Sequence, residues 1–126
     1  MHAKVSSKLL DDTCNILLAN KKIRYIGILD KMGSLVFEKQ KDGVDLSLPD
    51  SKSRSLYIKS VLEILLKKDF DEQMGLLKYN VSHRSKIDVI TIPIFNNIVM
   101  ITLEPNENCD LIANSAIMIF EKIFMK

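Results

Sequence analysis

The chain has 126 residues, of which 47% are hydrophobic and 27% are charged. A chain longer than roughly 80 residues can usually bury enough apolar surface to fold without disulfides or structural metals, so we expect a single domain over residues 1–126. The 18 basic and 16 acidic side chains leave a net charge of +2, which is too small and too well mixed for a dedicated nucleic-acid-binding protein.

The two cysteines, Cys14 and Cys109, lack the paired spacing of a small disulfide framework or a zinc knuckle, so we expect reduced thiols. The first residues, MHAKVSSKLLDD, turn acidic before an apolar run develops, and no apolar stretch approaches about 18 residues. We therefore expect a cytoplasmic protein without a signal peptide and without membrane insertion.

An apolar stripe with helical spacing comes first along the chain. It consists of Leu10, Cys14, Leu17 and Leu18, at positions i, i+4, i+7 and i+8. This spacing predicts a helix over about residues 7–20, and either Ser6 or Ser7 could cap its first amides.

The next segment, IRYIGILDKMGSLVFEK over residues 23–39, predicts a β-hairpin. Its first half is rich in β-branched and aromatic residues and carries apolar groups on both faces, which is typical of an interior strand. Gly33 can supply the positive φ that closes a short turn, and the Asp30 carboxylate can accept turn amides. We therefore interpret DKMG as a structural turn rather than a metal or phosphate site.

A second helix is predicted to begin near Asp50 or Ser51, after a polar connection. Its apolar residues form two neighbouring stripes, one of Tyr57, Val61, Ile64 and Leu65, the other of Ile58, Leu62 and Leu66. This apolar arc is wider than contact with one sheet requires. A surplus of apolar surface commonly marks an interface.

Three further strands are predicted. The first covers about Gly75–Ser82, and the others form a hairpin in KIDVITIPIFNNIVMITLE, where Asn96 and Asn97 suit a two-residue turn. This turn would pair Phe95 with Ile98, Ile94 with Val99 and Ile92 with Ile101. One face would then carry Ile90, Ile92, Ile94, Val99, Ile101 and Leu103, and the other Thr91, Pro93, Met100 and Thr102. Pro93 removes an amide, so its strand is expected to be open or interrupted there.

A last helix is predicted after Asn106 or Asn108, either of which could cap it. Its apolar stripe consists of Ile112, Ala116, Ile119, Phe120 and Ile123. The complete order is α-β-β-α-β-β-β-α. We therefore predict an α+β domain with a five-stranded antiparallel sheet and helices packed on it.

This order of elements and the pattern IRYIGILDKMGSLVFEK resemble the roadblock/LC7 domain and its profilin-like relatives, from about Lys8 to Phe124. The chain also looks similar to small archaeal proteins of this shape. The roadblock resemblance implies a non-enzymatic regulatory or scaffolding module that pairs with itself and binds a protein partner, with a small GTPase as one candidate. The second helix departs from the resemblance, because it is bulky where roadblock proteins tend to be rich in alanine.

Self-association is also expected from a comparison of the two faces of the sheet with the number of helices that could cover them. Three helices of about three turns each cannot cover both faces of a five-stranded sheet, so the second helix and a neighbouring sheet edge are expected to meet a symmetry mate. The expected dimer interface comprises Tyr57, Ile58, Val61, Leu62, Leu65 and Leu66. The alternative is a profilin- or PAS-like sensor that holds a small ligand between sheet and helices, which a cavity lined by Tyr25, Tyr79 and His83 would favour.

A cationic patch is the second candidate site. It comprises Lys78, His83, Arg84 and Lys86, which could receive a phosphate or an acidic protein partner, although such a run also suits a solvated strand end. An acidic loop with Asp42, Asp45 and Asp50 could attract a hard cation. It lacks the alternating oxygen ligands of a calcium loop, so we interpret it as solvated.

Catalytic residues find little support in the sequence. Cys109 at a helix start could have a lowered pKa and react, but packing is the simpler role for both cysteines. A catalytic triad would depend on His83, for which the sequence shows no oriented partner. P-loop, dinucleotide-binding and HExxH motifs are absent from the sequence. We therefore expect no enzymatic activity, no cofactor and no metal site.

Overall fold

Three layers make up the fold: one helix, a five-stranded sheet, and a pair of helices on the far side. The computed structural model describes residues 5–41 and 49–124. The elements in chain order are α1 (Ser7–Leu18), β1 (Ile23–Asp30), β2 (Leu35–Gln40), α2 (Asp50–Lys68), α3 (Asp71–Met74), β3 (Asn80–His83), β4 (Asp88–Ile94), β5 (Asn97–Leu103) and α4 (Cys109–Phe124). The predicted order is confirmed, with the short helix α3 as an addition.

The sheet is antiparallel throughout, with the strand order β2-β1-β5-β4-β3. β1 lies between β2 and β5, which confirms the prediction of an interior first strand. The β1–β5 ladder runs from Ile23 opposite Leu103 to Asp30 opposite Asn97. The two hairpins, which are distant in the sequence, are thus joined at the centre of the sheet.

The two faces of the sheet are covered unequally. Under α1 and α4 lies the larger apolar core, which includes Ile26 and Ile28 of β1 and the fully buried Phe120 of α4. Under α2 lies a smaller core of Leu29, Ile98 and Met100 from the sheet and Tyr57, Val61 and Ile64 from the helix. Within the described residues, α2 is therefore the long helix that covers the face opposite α1 and α4.

The β4–β5 hairpin corrects one predicted register. Ile92 lies opposite Val99 and Ile90 opposite Ile101, two positions from the predicted pairing. The turn residues are Phe95 and Asn96 instead of Asn96 and Asn97, and Phe95, in the first turn position, has a φ of 54°. Pairing with β1 is the physical reason, because it draws Asn97 into the ladder opposite Asp30.

The predicted faces of this hairpin are nevertheless confirmed, since a shift of two residues leaves every side chain on its original side. The six residues predicted to share one face all lie in the larger core. Pro93 also behaves as expected: β3 pairs with β4 only as far as Thr91, so the ladder on that side ends before the proline.

The strand predicted over Gly75–Ser82 is shorter in the structure and begins at Asn80. The preceding segment is held instead by α3, because Asp71 accepts hydrogen bonds from two later amides. Its carbonyl oxygen accepts from the Gly75 N–H at 2.9 Å, and its Oδ1 accepts from the Leu77 N–H at 3.1 Å. These bonds keep the first half of the predicted strand out of the ladder.

The DKMG segment is a structural turn, as predicted. Asp30 Oδ1 accepts hydrogen bonds from the Met32 N–H at 2.9 Å and the Ser34 N–H at 3.0 Å, and Gly33 has a φ of 83°. A Cβ added at Gly33 would lie 3.0 Å from the Cα of Ile58 in α2. Glycine is therefore required both for the turn and for the close approach of the helix.

The sequence offered two candidate caps for each of the first and last helices, and in each case the structure shows which residue caps the helix. The Ser6 hydroxyl oxygen accepts from the Leu9 N–H at 3.1 Å and caps α1. At α4 the Asn108 side chain accepts from the Leu111 N–H at 3.1 Å, whereas Asn106 adopts a φ of 68° in the preceding turn. Each cap satisfies an amide that the first helical turn leaves without a partner.

Thr102 provides a test of the packing beneath α2. Its side chain is buried, and within the described ranges its Oγ1 has no hydrogen-bond partner, an arrangement that costs roughly 1–3 kcal/mol. Thr102→Val keeps the shape and removes the hydroxyl. We expect the free energy of unfolding, measured by urea denaturation, to rise by about 1 kcal/mol.

Thr13→Val is the matched control, because the buried Thr13 hydroxyl donates to the Leu9 carbonyl at 2.7 Å. This variant should lose about 0.5–1.5 kcal/mol. An equal loss of stability in both variants would contradict the interpretation of Thr102.

Candidate functional site

The outward side of α2 carries an exposed apolar stripe, called here the outer stripe. Its members are Ile58, Leu62, Leu65 and Leu66, whose exposed fractions are 48%, 51%, 48% and 65%. Tyr57 and Val61, which the sequence assigned to the same interface, are buried against the chain's own sheet and are not available to a partner.

Within the described ranges, none of the helices is long and apolar enough to cross a membrane.

Contacts at the two ends of α2 fix its path over the sheet. At its N-terminal half, Ile58 packs against Gly33 of the β1–β2 turn. At its C-terminal half, Asn80 of β3 donates to Glu63 and accepts from Lys67 Nζ at 2.9 Å. The helix therefore runs from the β1–β2 turn to the edge strand β3, and the outer stripe comes close to that edge.

The four predicted cations do not form one compact patch. His83 ends β3 and Arg84 and Lys86 lie in the turn that follows, whereas Lys78 precedes β3. All four side chains are exposed. Since an extended chain rises about 3.3 Å per residue, Lys78 and His83, five residues apart, are separated by roughly 16 Å along the chain. The compact part of the patch is the β3–β4 turn.

A cluster that the sequence did not predict lies beside this turn, and we call it the Asp88 cluster. It consists of His83, Asp88 and Cys109. Asp88 Oδ2 lies 3.1 Å from His83 Nδ1 and accepts from Cys109 Sγ at 3.6 Å. Asp88 Oδ1 accepts from the Arg84 N–H at 3.3 Å. The carboxylate is buried, while the imidazole is 69% exposed.

The local sequence explains how three elements meet at this cluster. Asp88 is an acidic residue at the start of the otherwise apolar strand β4, directly after the turn that carries Arg84. Cys109 is the first residue of α4, which packs on β4 and so brings the thiol over the carboxylate. The one sequence signal was the acid in KIDVITI, but the position of α4 above it could not be read from the sequence.

The pKa values of this cluster argue against a reactive thiol. Burial raises the pKa of Cys109 to about 11, with the Asp88 carboxylate adding to the effect. For Asp88, burial raises the pKa, but hydrogen bonds from His83 and Arg84 outweigh it and hold the pKa below its ordinary value. The alternative of a lowered pKa and a reactive Cys109 is thus wrong, because burial and the neighbouring Asp88 carboxylate both raise the pKa of the thiol.

The geometry also differs from that of a nucleophilic triad. In such a triad the imidazole lies between the nucleophile and the acid, so that it can take the proton of the nucleophile. Here the carboxylate lies between the thiol and the imidazole. The arrangement orders three side chains but does not generate a thiolate.

The three side chains suggested for a ligand cavity do not meet. Tyr25 is buried on the α2 face, next to Tyr57. Its hydroxyl donates a hydrogen bond to Glu38 Oε1 at 3.0 Å and shares another with the Tyr57 hydroxyl, also at 3.0 Å. Tyr79 lies on the opposite face and donates to Asp110 of α4, and His83 is exposed at the edge of the sheet. Tyr25, Tyr79 and His83 therefore do not line one cavity, and the observation that would have favoured the ligand-sensor alternative is not made.

The acidic loop falls largely outside the described part of the chain. Asp42 and Asp45 lie outside the described residues, as does the side chain of Asp50. The interpretation of this loop as solvated stays a prediction.

Thiol labelling tests the assignment of Cys109. In Cys14→Ser, Cys109 is the remaining cysteine. The rise of its pKa from 9.0 to about 11 lowers the thiolate fraction at pH 8 roughly a hundredfold. We expect a disulfide reagent to react at least about 100 times more slowly with the native variant than with the same chain in urea. A native rate within tenfold of the unfolded rate would contradict the assignment.

Comparison with known proteins gives a family and a fold. A family described as "Family of unknown function (DUF6659)" matches residues 3–125. A search of curated proteins gives no match.

Solved structures of similar fold include the gliding protein MglB from Thermus thermophilus, with a TM-score of 0.77 and 10% identity, covering 98% of this chain and 96% of that chain. Another is a structure described as "MglB with tetrameric arrangement", with a TM-score of 0.75 and 10% identity, covering 98% and 95%. A roadblock/LC7 domain from Streptomyces avermitilis has a TM-score of 0.67 and 7% identity, covering 86% and 89%. The roadblock/LC7 resemblance is confirmed as a fold. The likeness to archaeal proteins stays a prediction.

Proposed function

We propose that this chain, which belongs to the DUF6659 family of unknown function, is a non-enzymatic homodimeric module that scaffolds or regulates a protein partner. The observation that carries the proposal is the outer stripe of α2, where four aliphatic side chains are each about half exposed or more. Large apolar patches on a folded domain commonly mark contact with another protein. The solved structure described as tetrameric MglB, which is similar in fold, adds support for self-association.

The apolar area of the outer stripe limits the free energy that its burial can contribute to dimer formation. Burying a Leu or Ile side chain completely stabilises by roughly 1.5–3 kcal/mol, so burying the exposed half of one contributes about 1 kcal/mol. Four such side chains on each of two protomers contribute about 8 kcal/mol. Association costs an estimated 4–15 kcal/mol in lost freedom, so the outer stripe alone gives at most a weak dimer.

The edge of β3 supplies the remaining contacts in this proposal. β3 pairs with β4 on one side, and its other edge has no strand partner within the described ranges. An unpaired edge presents backbone amides and carbonyls to another strand. A two-fold axis beside β3 would pair this strand antiparallel with its symmetry mate and bring the outer stripes together, since α2 contacts β3 through Asn80.

The partner surface in this proposal is the β3–β4 turn. His83, Arg84 and Lys86 are exposed there, and guanidinium and ammonium groups suit carboxylates or phosphates. The roadblock resemblance makes a small GTPase one candidate partner. The carboxylate of Asp88, rather than an imidazole, lies next to the Cys109 thiol, and this order differs from that of a nucleophilic triad, which supports a non-enzymatic role.

Sedimentation tests the dimer. The mass of one chain is 14.4 kDa, so we expect the wild-type chain at tens of micromolar to sediment with about twice that mass. Ile58→Glu combined with Leu62→Glu places charges in the interface and should give a monomer. Leu111→Glu is the matched control, because Leu111 is 65% exposed on α4, on the other side of the sheet, and this variant should stay dimeric.

Two results would count against this assembly. A wild-type chain that remains at 14.4 kDa at these concentrations would reject the dimer. A double variant that stays dimeric while Leu111→Glu dissociates would move the interface to α4.

Charge reversal tests the partner surface. Arg84→Glu with Lys86→Glu alters two exposed side chains, so stability should change by about 0.5 kcal/mol or less at each site. Binding to a nucleotide-loaded small GTPase from the same organism, followed by calorimetry, should weaken at least about tenfold at low salt and less at high salt. Lys78→Glu, at the far end of β3, serves as the control. Unchanged binding by the double variant at low salt would show that the turn is merely solvated.

A further inference from the structure

The Asp88 cluster brings three metal-binding atom types to one point. An imidazole nitrogen of His83, a carboxylate oxygen of Asp88 and the sulfur of Cys109 all lie within 4.8 Å of one another. They come from three elements, namely the end of β3, the start of β4 and the start of α4. The cluster therefore depends on the tertiary fold rather than on a local motif.

The distance between Asp88 Oδ2 and Cys109 Sγ matches an edge of a tetrahedral metal coordination shell, and the distance between Asp88 Oδ2 and His83 Nδ1 is slightly shorter than such an edge. Zinc binds thiolate sulfur at about 2.3 Å, imidazole nitrogen at about 2.0–2.1 Å and carboxylate oxygen at about 2.0–2.2 Å, so tetrahedral donors lie roughly 3.3–3.7 Å apart. Asp88 Oδ2 lies 3.1 Å from His83 Nδ1 and 3.6 Å from Cys109 Sγ. Only the position of His83 needs to adjust, and its side chain is the exposed member of the three.

Two of the three side chains are buried and held in place, and the third is exposed to solvent. Asp88 and Cys109 are buried, and the Arg84 N–H holds the second carboxylate oxygen of Asp88 at 3.3 Å, the kind of outer contact that orients a metal ligand. His83, with 69% of its side chain exposed, leaves a path from solvent. A fourth position would face this opening.

Some charged groups near the cluster favour a bound cation and others oppose it. The carboxylates of Asp110 and Glu107 act on Cys109 and favour a cation. Arg84 and Lys86 lie in the adjacent turn and oppose one, but they are exposed and therefore screened by salt. Bonds to three protein ligands outweigh such screened repulsion, because zinc sites of this kind are governed by donor type and geometry.

We propose that His83, Asp88 and Cys109 bind one divalent transition-metal ion of the zinc class, with a fourth position open to water or to a side chain of a partner. The mixed nitrogen, oxygen and sulfur donors select Zn²⁺ or Co²⁺ over Mg²⁺ and Ca²⁺, which prefer oxygen ligands. Binding releases the Cys109 thiol proton to solvent, so that the sulfur binds as thiolate, and His83 binds through Nδ1 once that nitrogen carries no proton. The ion then takes the place of the two contacts that Asp88 Oδ2 makes with His83 and Cys109, and it joins the β3–β4 turn to α4. All three ligands come from one chain, so the site is complete without the proposed dimer.

Cobalt titration of the reduced, untagged chain tests the proposal, since a thiolate bound to Co²⁺ gives a charge-transfer band in the near ultraviolet. We expect this band to saturate at one ion per chain and to disappear when Zn²⁺ is added. It should be absent in Cys109→Ser and retained in Cys14→Ser, because Cys14 is not a member of the cluster.

His83→Ala keeps the test decisive if Cys109→Ser fails to fold, because His83 is exposed and contributes little to the core. We expect this variant to bind Co²⁺ at least about tenfold more weakly than the wild type. No charge-transfer band in the wild type at tenfold excess of Co²⁺ would overturn the proposal. So would a band that persists in Cys109→Ser, or an unchanged affinity in His83→Ala.

Discussion

The antiparallel pairing of β1 with β5 is the contact on which the rest of the fold depends. It joins two hairpins that are far apart in the sequence, and each of the long helices packs on the sheet that results. It also fixes the β4–β5 turn, because Asn97 pairs with Asp30 and leaves Phe95 and Asn96 to close the hairpin. A long-range ladder here overrides a local turn preference, which explains why Phe95 accepts a positive φ.

Unequal coverage of this sheet produces the surface that supports a function. Among the described residues, α1 and α4 share one face and α2 is the long helix on the other, held by contacts with Gly33 and with β3. A single helix can bury only one stripe against the sheet. Tyr57, Val61 and Ile64 take that position, so the second apolar stripe faces outward, and the described part of the chain leaves it exposed to water.

Features set by local sequence patterns could be predicted from the sequence, whereas features set by contacts between distant elements could not. Helical spacing, strand alternation, the Asp30 turn and the order of elements are local patterns, and the structure confirms them. The register at Asn97, the burial of Tyr57 and Val61 within an arc that looked uniformly available, and the raised pKa of Cys109 each depend on a neighbour distant in the sequence. For Cys109, the helix start alone suggested a reactive thiol, whereas the carboxylate of Asp88 lies beneath it.

The edge strand β3 connects the two proposed sites because its side chains alternate between the faces of the sheet. Asn80 points to the α2 face and bonds Glu63 and Lys67, whereas His83 points to the α4 face and contacts Asp88. The strand has only four residues, so its position depends strongly on these side-chain contacts. An ion bound at His83 would fix one end of the strand while α2 fixes the other, and the backbone edge offered to a symmetry mate would be better ordered. Metal binding and self-association would then favour each other, although the ion and the outer stripe lie on opposite faces of the sheet.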